Sequence, residues 1–90
     1  MSERKFTPGP WMLSGRTVYA LNDQGFNRFS ALVQDVHTSA VELDANARLI
    51  AAAPELLEFV EGWLATQGSD ENYMTEKARA AIAKATGESK

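Results

Sequence analysis

The sequence predicts a small α+β domain: a three-stranded antiparallel β-meander, then a proline-kinked helix or helix pair, then a C-terminal helix. Three observations carry that prediction. Short alternating apolar runs separated by Gly, Asn and Asp fill the first third of the chain. A long stretch of helical period, SAVELDANARLIAAAPELLEFVEGWLATQG, runs from Ser39 to Gly68 with a proline in its middle. A second, alanine-rich helical pattern follows it and stops at Gly87.

Thr7-Pro8-Gly9-Pro10 opens the ordered chain, because prolines around a glycine set an extended or turned path without ladder donors. Trp11 to Leu13 reads as a first short strand, with Trp11 expected to anchor this segment on the core. Ser14-Gly15 signals a turn. Thr17 to Leu21 is the second strand, with Val18 and Ala20 on one face and Thr17 and Tyr19 on the other. Asn22 to Gly25 is a four-residue turn with Gly25 free to take positive φ. In the third strand, Arg28 to Gln34, alternation sends Phe29, Ala31 and Val33 towards the helices. Arg28, Ser30, Leu32 and Gln34 point away from them. Asp35 to Thr38 crosses to the helices.

Ser39 and Glu42 form the S-x-x-E pattern of a capping box, with Thr38 a rival N-cap. Leu43, Ala47 and Ile50 then make an apolar stripe that also carries Asn46, while Asp44 and Arg48 form an i, i+4 acid–base pair. Pro54 lacks an N–H and disfavours helical backbone at Ala53, so a kink or break is expected at Ala52–Pro54. Beyond it Leu56, Val60 and Trp63 make a row flanked by Leu57 and Leu64, with Glu55, Glu58 and Glu61 on the wet side. Gly62 inside this helix suggests close packing of another element, and Gly68 suggests a C′ residue. Ser69-Asp70 restarts a helix whose apolar stripe is Met74, Ala78, Ala81, Ile82 and Ala85.

Ninety residues suit a single domain over residues 1–90, with 1–6 and 88–90 flexible. A chain of this size buries a little over ~60% of its unfolded surface, so the core is small and self-association is expected. A net charge of −3 argues against general nucleic-acid binding. There is no cysteine, which removes disulfides, thiol catalysis and cysteine-based zinc sites. MSERKFTPGPW has no apolar h-region, and no apolar run approaches the ~20 residues of a membrane span. No signal peptide or membrane association is therefore expected.

Catalytic and metal sites are not expected. His37 is the only histidine, no G-x-S-x-G surrounds a serine, and no Gly-rich phosphate loop is present. No cofactor is called for. What the residues offer is a binding surface. The sheet face bearing Tyr19, Arg28, Ser30 and Gln34, with Arg16 at a strand end, suits stacking and bidentate contacts to carboxylate or phosphate. Asn46 and Arg48 are a second polar feature, each open to a structural reading as well. The candidate binding residues are therefore Arg16, Tyr19, Arg28, Asn46 and Arg48.

T-P-G-P-W at Thr7–Trp11, A-N-A-R-L-I-A-A-A-P-E-L-L at Ala45–Leu57 and A-R-A-A-I-A-K-A-T-G at Ala78–Gly87 together resemble a family of small proteins encoded by bacteriophages and prophages. The resemblance implies a phage accessory protein acting in the bacterial host cytoplasm, and it supplies no catalytic residues. By analogy with small phage accessory proteins, the expectation is a non-enzymatic counter-defence inhibitor, anti-CRISPR-like in working by occupancy. Its target would be a host defence protein, ahead of a nucleotide immune signal held by Arg16, Arg28 and Arg48. A structural or regulatory phage adaptor is the further alternative.

Overall fold

A computed structural model describes residues 5–67 and 70–87. The expectations placed on Gly68, Ser69, residues 1–4 and residues 88–90 lie outside the described residues. The element order is β1 (Met12–Ser14), β2 (Thr17–Leu21), β3 (Asn27–Leu32), α1 (Ala40–Ala51), α2 (Ala53–Thr66) and α3 (Tyr73–Thr86). This is the predicted α+β arrangement, with an antiparallel sheet of order β1-β2-β3 followed by three helices. Two compact units are distinguished. One is Thr7–Pro54; the other takes in the chain from Glu55 together with Phe6.

In the first unit, Ser14 pairs with Thr17, leaving Gly15 and Arg16 as a two-residue hairpin loop. Gly15 has φ +61° and Arg16 a negative φ, the pattern of a type II′ turn. Val33 N–H donates to the Arg16 carbonyl at 2.9 Å and ties the end of β3 to this turn. At the other end of the hairpin pair, the side chain of Asn22 accepts from the backbone N–H of Gln24 and of Phe26, and Gly25 takes φ +88°. An Asx turn thus closes the Asn22–Gly25 loop that the sequence predicts.

Val18 and Ala20 are fully buried on one face of β2, and Leu43 and Ala47 are the buried residues of α1, which packs on β1 and β2. Ser39 is the N-cap of α1, its hydroxyl accepting from Glu42 N–H at 3.2 Å. Thr38, the rival, donates instead to Asp35. Trp11 lies edge-on to Phe29 with ring centroids 5.0 Å apart, and its indole N–H donates to the Thr7 carbonyl at 2.9 Å. The T-P-G-P-W segment is thereby closed on itself and fastened to the sheet.

The third strand departs from expectation. Phe29 and Val33 are half-buried but Ala31 is exposed. A helix about 10 Å across covers only about two strands spaced ~4.8 Å apart. With α1 over β1 and β2, β3 is the strand left over. The same geometry narrows the α1 stripe: Ile50 is exposed, and Asn46 is exposed rather than buried in need of partners. The pairing also shifts between Ala20–Phe29 and Leu21–Asn27, making Arg28 the extra residue of a bulge and interrupting the strict alternation read over 28–34.

Helix α1 ends at Ala51 with Ala52 as its C-cap, whose N–H reaches the carbonyls of Arg48 and Leu49, and α2 begins at Ala53. The break expected at Ala52–Pro54 is therefore present, with Pro54 in the first turn of α2.

In the second unit, Leu57, Val60, Glu61, Trp63 and Leu64 of α2 are all half-buried, while Leu56 is exposed. Glu55 and Glu58 are exposed as predicted; Glu61 is not on the wet side. Among the described residues, no atom beyond the helix's own nearby backbone lies within 4 Å of a Cβ built on Gly62, so no close-packed neighbour among them explains that glycine. Helix α3 is capped by Asn72, which accepts from Thr75 N–H at 3.0 Å. The Thr75 hydroxyl accepts from Asn72 N–H at 2.8 Å and donates to the Asn72 carbonyl at 2.9 Å. Thr75 is buried, along with Ala78, while Met74 is exposed. The inward stripe is Thr75, Ala78 and Ile82, rotated from the predicted one because the capping box turns the threonine inward with its hydroxyl satisfied. Gly87, with φ +77°, ends the helix as the sequence indicates.

Two stability outcomes follow. Gly62→Ala should raise unfolding free energy by about 0.5–1 kcal/mol, since the site is helical and open. Asn72→Ala should lower it by about 1 kcal/mol through loss of the cap. Urea denaturation followed by circular dichroism reads both; a destabilised Gly62→Ala protein would contradict the open-site geometry.

Candidate functional site

The β1–β2 turn and α1 together build an open cleft of about 500 Å³ lined by Leu13, Gly15, Arg16, Leu32, Gln34, Asp44 and Arg48. The turn chemistry explains the placement of Arg16. A type II′ hairpin requires glycine first, at position 15, and so presents residue 16 at its tip. The helix explains the other two charges. Asp44 follows the buried Leu43 and Arg48 follows the buried Ala47, so the two stand one turn apart beside the contact face of α1.

Arg16 Nε donates to Asp44 Oδ1 at 2.7 Å, and its Nη1 lies 3.5 Å from Gln34 Oε1. The Arg16 and Asp44 side chains are 29% and 45% exposed, so the pair is well formed but wet. Asp44 thus pairs across the chain rather than with Arg48 along the helix. Among the described residues, Arg48 makes no ion pair or side-chain hydrogen bond. The cleft therefore contains one arginine held in place and one whose guanidinium is unengaged.

Of the five candidate binding residues, the structure brings Arg16 and Arg48 together. Arg28 is at the opposite end of the β2–β3 ladder. Five strand residues span roughly 16 Å, which keeps Arg28 out of the cleft. The three arginines do not converge. Tyr19 is half-buried in mid-strand, between Met12 and Ser30. Asn46 is exposed on α1 and does not line the cleft. His37 is exposed in the crossing loop; its backbone N–H donates to Asp35 Oδ2 at 3.0 Å, and the neighbouring Ser39 hydroxyl serves as the α1 cap. Among the described residues, no three His, Asp or Glu side chains gather into a metal-binding set. No helix among them is long and apolar enough to cross a membrane.

A second depression, about 360 Å³, lies on the other unit and is lined by Phe59, Val60, Trp63, Met74, Lys77, Ala78 and Ala81. Phe59 is 71% exposed and Met74 59%. Lys77 is the one charged group in this lining, with its ammonium 5.5 Å from the Tyr73 ring centroid. The sequence reading places Val60 and Trp63 in one row but omits Phe59. The spacing Leu56, Phe59, Val60, Trp63 is i, i+3, i+4, i+7 and carries that signal.

Residues 1–89 match the family model described as Salmonella phage P22 protein Y8K6. The chain belongs to this phage protein family. No curated protein and no solved structure matches it. Membership agrees with the phage origin that the T-P-G-P-W and A-N-A-R-L-I-A-A-A-P-E-L-L strings suggest.

For this phage protein the Arg16–Asp44 pair has a bounded energetic role. A partly exposed ion pair contributes up to about 1 kcal/mol. Asp44→Asn should therefore lower stability by less than about 1 kcal/mol, and 0.5 M salt should shrink the difference. Paired urea titrations at low and high salt check this; a loss of several kcal/mol would mean the pair is a structural keystone.

Proposed function

We propose that this phage protein is a non-enzymatic accessory protein that binds and neutralises a bacterial host component. Its target is a protein of a host immune complex, and it acts in the host cytoplasm. The observation that supports this reading best is the α2–α3 depression. Its lining is apolar apart from Lys77, and two of its large side chains, Phe59 and Met74, stand in solvent, while Trp63 is half-buried. Exposed aromatic, methionine and apolar groups gathered around a hollow are the surface that a partner's apolar anchors fill. Small phage accessory proteins without catalytic apparatus often act by occupancy, and that analogy supplies the choice of an immune target. Lys77 at the rim favours a partner segment that carries a carboxylate beside its apolar anchor.

Capture of a nucleotide immune signal is the second reading. It draws support from a different place, the cleft that holds Arg16 and Arg48. Self-association would use the same kind of exposed apolar surface, with Phe26 and Leu32 further exposed groups.

The test is phage plating on bacteria that carry single, defined immune systems, with and without expression of this protein. Under the first reading, at least one system loses protection, and Phe59→Asp restores it while circular dichroism shows the variant folded. Purified protein should then bind the purified immune component, with at least about tenfold weaker binding for Phe59→Asp. Inhibition that is untouched by Phe59→Asp and Met74→Glu would remove the α2–α3 surface from the account.

A further inference from the structure

We propose that the Arg16–Arg48 cleft is a binding site for a singly charged oxyanion carried on an apolar body, either a carboxylate or a phosphodiester. This deepens the second reading above and is independent of the α2–α3 surface. Three features lead to it. The volume of about 500 Å³ falls within the range of small-molecule sites. Arg16 is held by Asp44 through Nε, which leaves its Nη2 without an acceptor among the described residues, and among them the Arg48 guanidinium has no partner either. Guanidinium groups supplied by two different elements can grip the two oxygens of one planar or tetrahedral anion. Leu13 and Leu32 supply apolar wall beside these charges.

Charge balance selects the ligand further. The lining holds two arginines and one aspartate, a net charge of +1. A single negative charge neutralises the cleft. A second or third would be left beside Asp44, which lines the same cleft and accepts from Arg16. A triphosphate is thus a poor fit, and a phosphodiester or carboxylate a good one. Gln34 adds an amide whose N–H can donate to the ligand while its oxygen stays near Arg16.

Isothermal titration of the full chain at low salt tests this with four probes. They are 3′,5′-cyclic AMP and indole-3-acetate, each a monoanion on an aromatic body, then ATP, then neutral indole. At least one monoanion should bind more tightly than both ATP and indole. Arg48→Ala, an exposed helical position that tolerates alanine, should weaken that binding at least about tenfold. Asp44→Asn should narrow the preference for the monoanion over ATP. Binding of indole-3-acetate alone would uphold the site and dismiss the nucleotide reading; binding of cyclic AMP would uphold both. Absence of binding by either monoanion, tighter binding of ATP, or affinity unchanged in Arg48→Ala would overturn the proposal.

Discussion

The packing of α1 on β1 and β2 is the contact on which the first unit depends. Val18 and Ala20 from the sheet and Leu43 and Ala47 from the helix are its buried apolar groups. Two of the four are alanines, so the helix can approach the strands closely. That approach also decides what becomes surface. It leaves β3 uncovered, turns Asn46 outward, and sets Asp44 and Arg48 beside the β1–β2 turn. The charged cleft is thus a by-product of the core: its helical residues each follow a buried one.

How far the sequence discloses this arrangement depends on the range of each interaction. The meander, the turn at Asn22–Gly25, the Ser39 cap, the break before Pro54 and the stop at Gly87 are all visible in it, because each is decided by neighbouring residues. The Arg16–Asp44 pair joins positions 28 apart, and no local pattern announces it; the nearer Arg48 is the partner that helical spacing suggests. The candidate site is accordingly half legible. Arginine at a turn tip and arginine on a helix can be picked out as binding groups, but which of them meet is a matter of strand length and helix placement. Arg28 drops out for the first reason.

The second unit shows a different limit. Its helices are so rich in alanine and leucine that several faces look equally apolar, and the capping box at Asn72–Thr75 decides which one turns in. A threonine is then buried and a methionine is left in water, the reverse of a hydrophobicity ranking. The hydroxyl can be buried because it both donates and accepts within the cap. Met74 is left exposed as a result, and with the exposed Phe59 of α2 it marks where the proposed partner surface is assigned.

The type II′ turn has a consequence for how such a protein could diversify. Position 15 is constrained by backbone geometry, whereas position 16 asks only for an ordinary negative φ. The scaffold therefore separates conformation from chemistry at adjacent residues. Under the oxyanion proposal, exchanging the side chain at 16 would change the charge and reach of the cleft while the hairpin beneath it kept its shape.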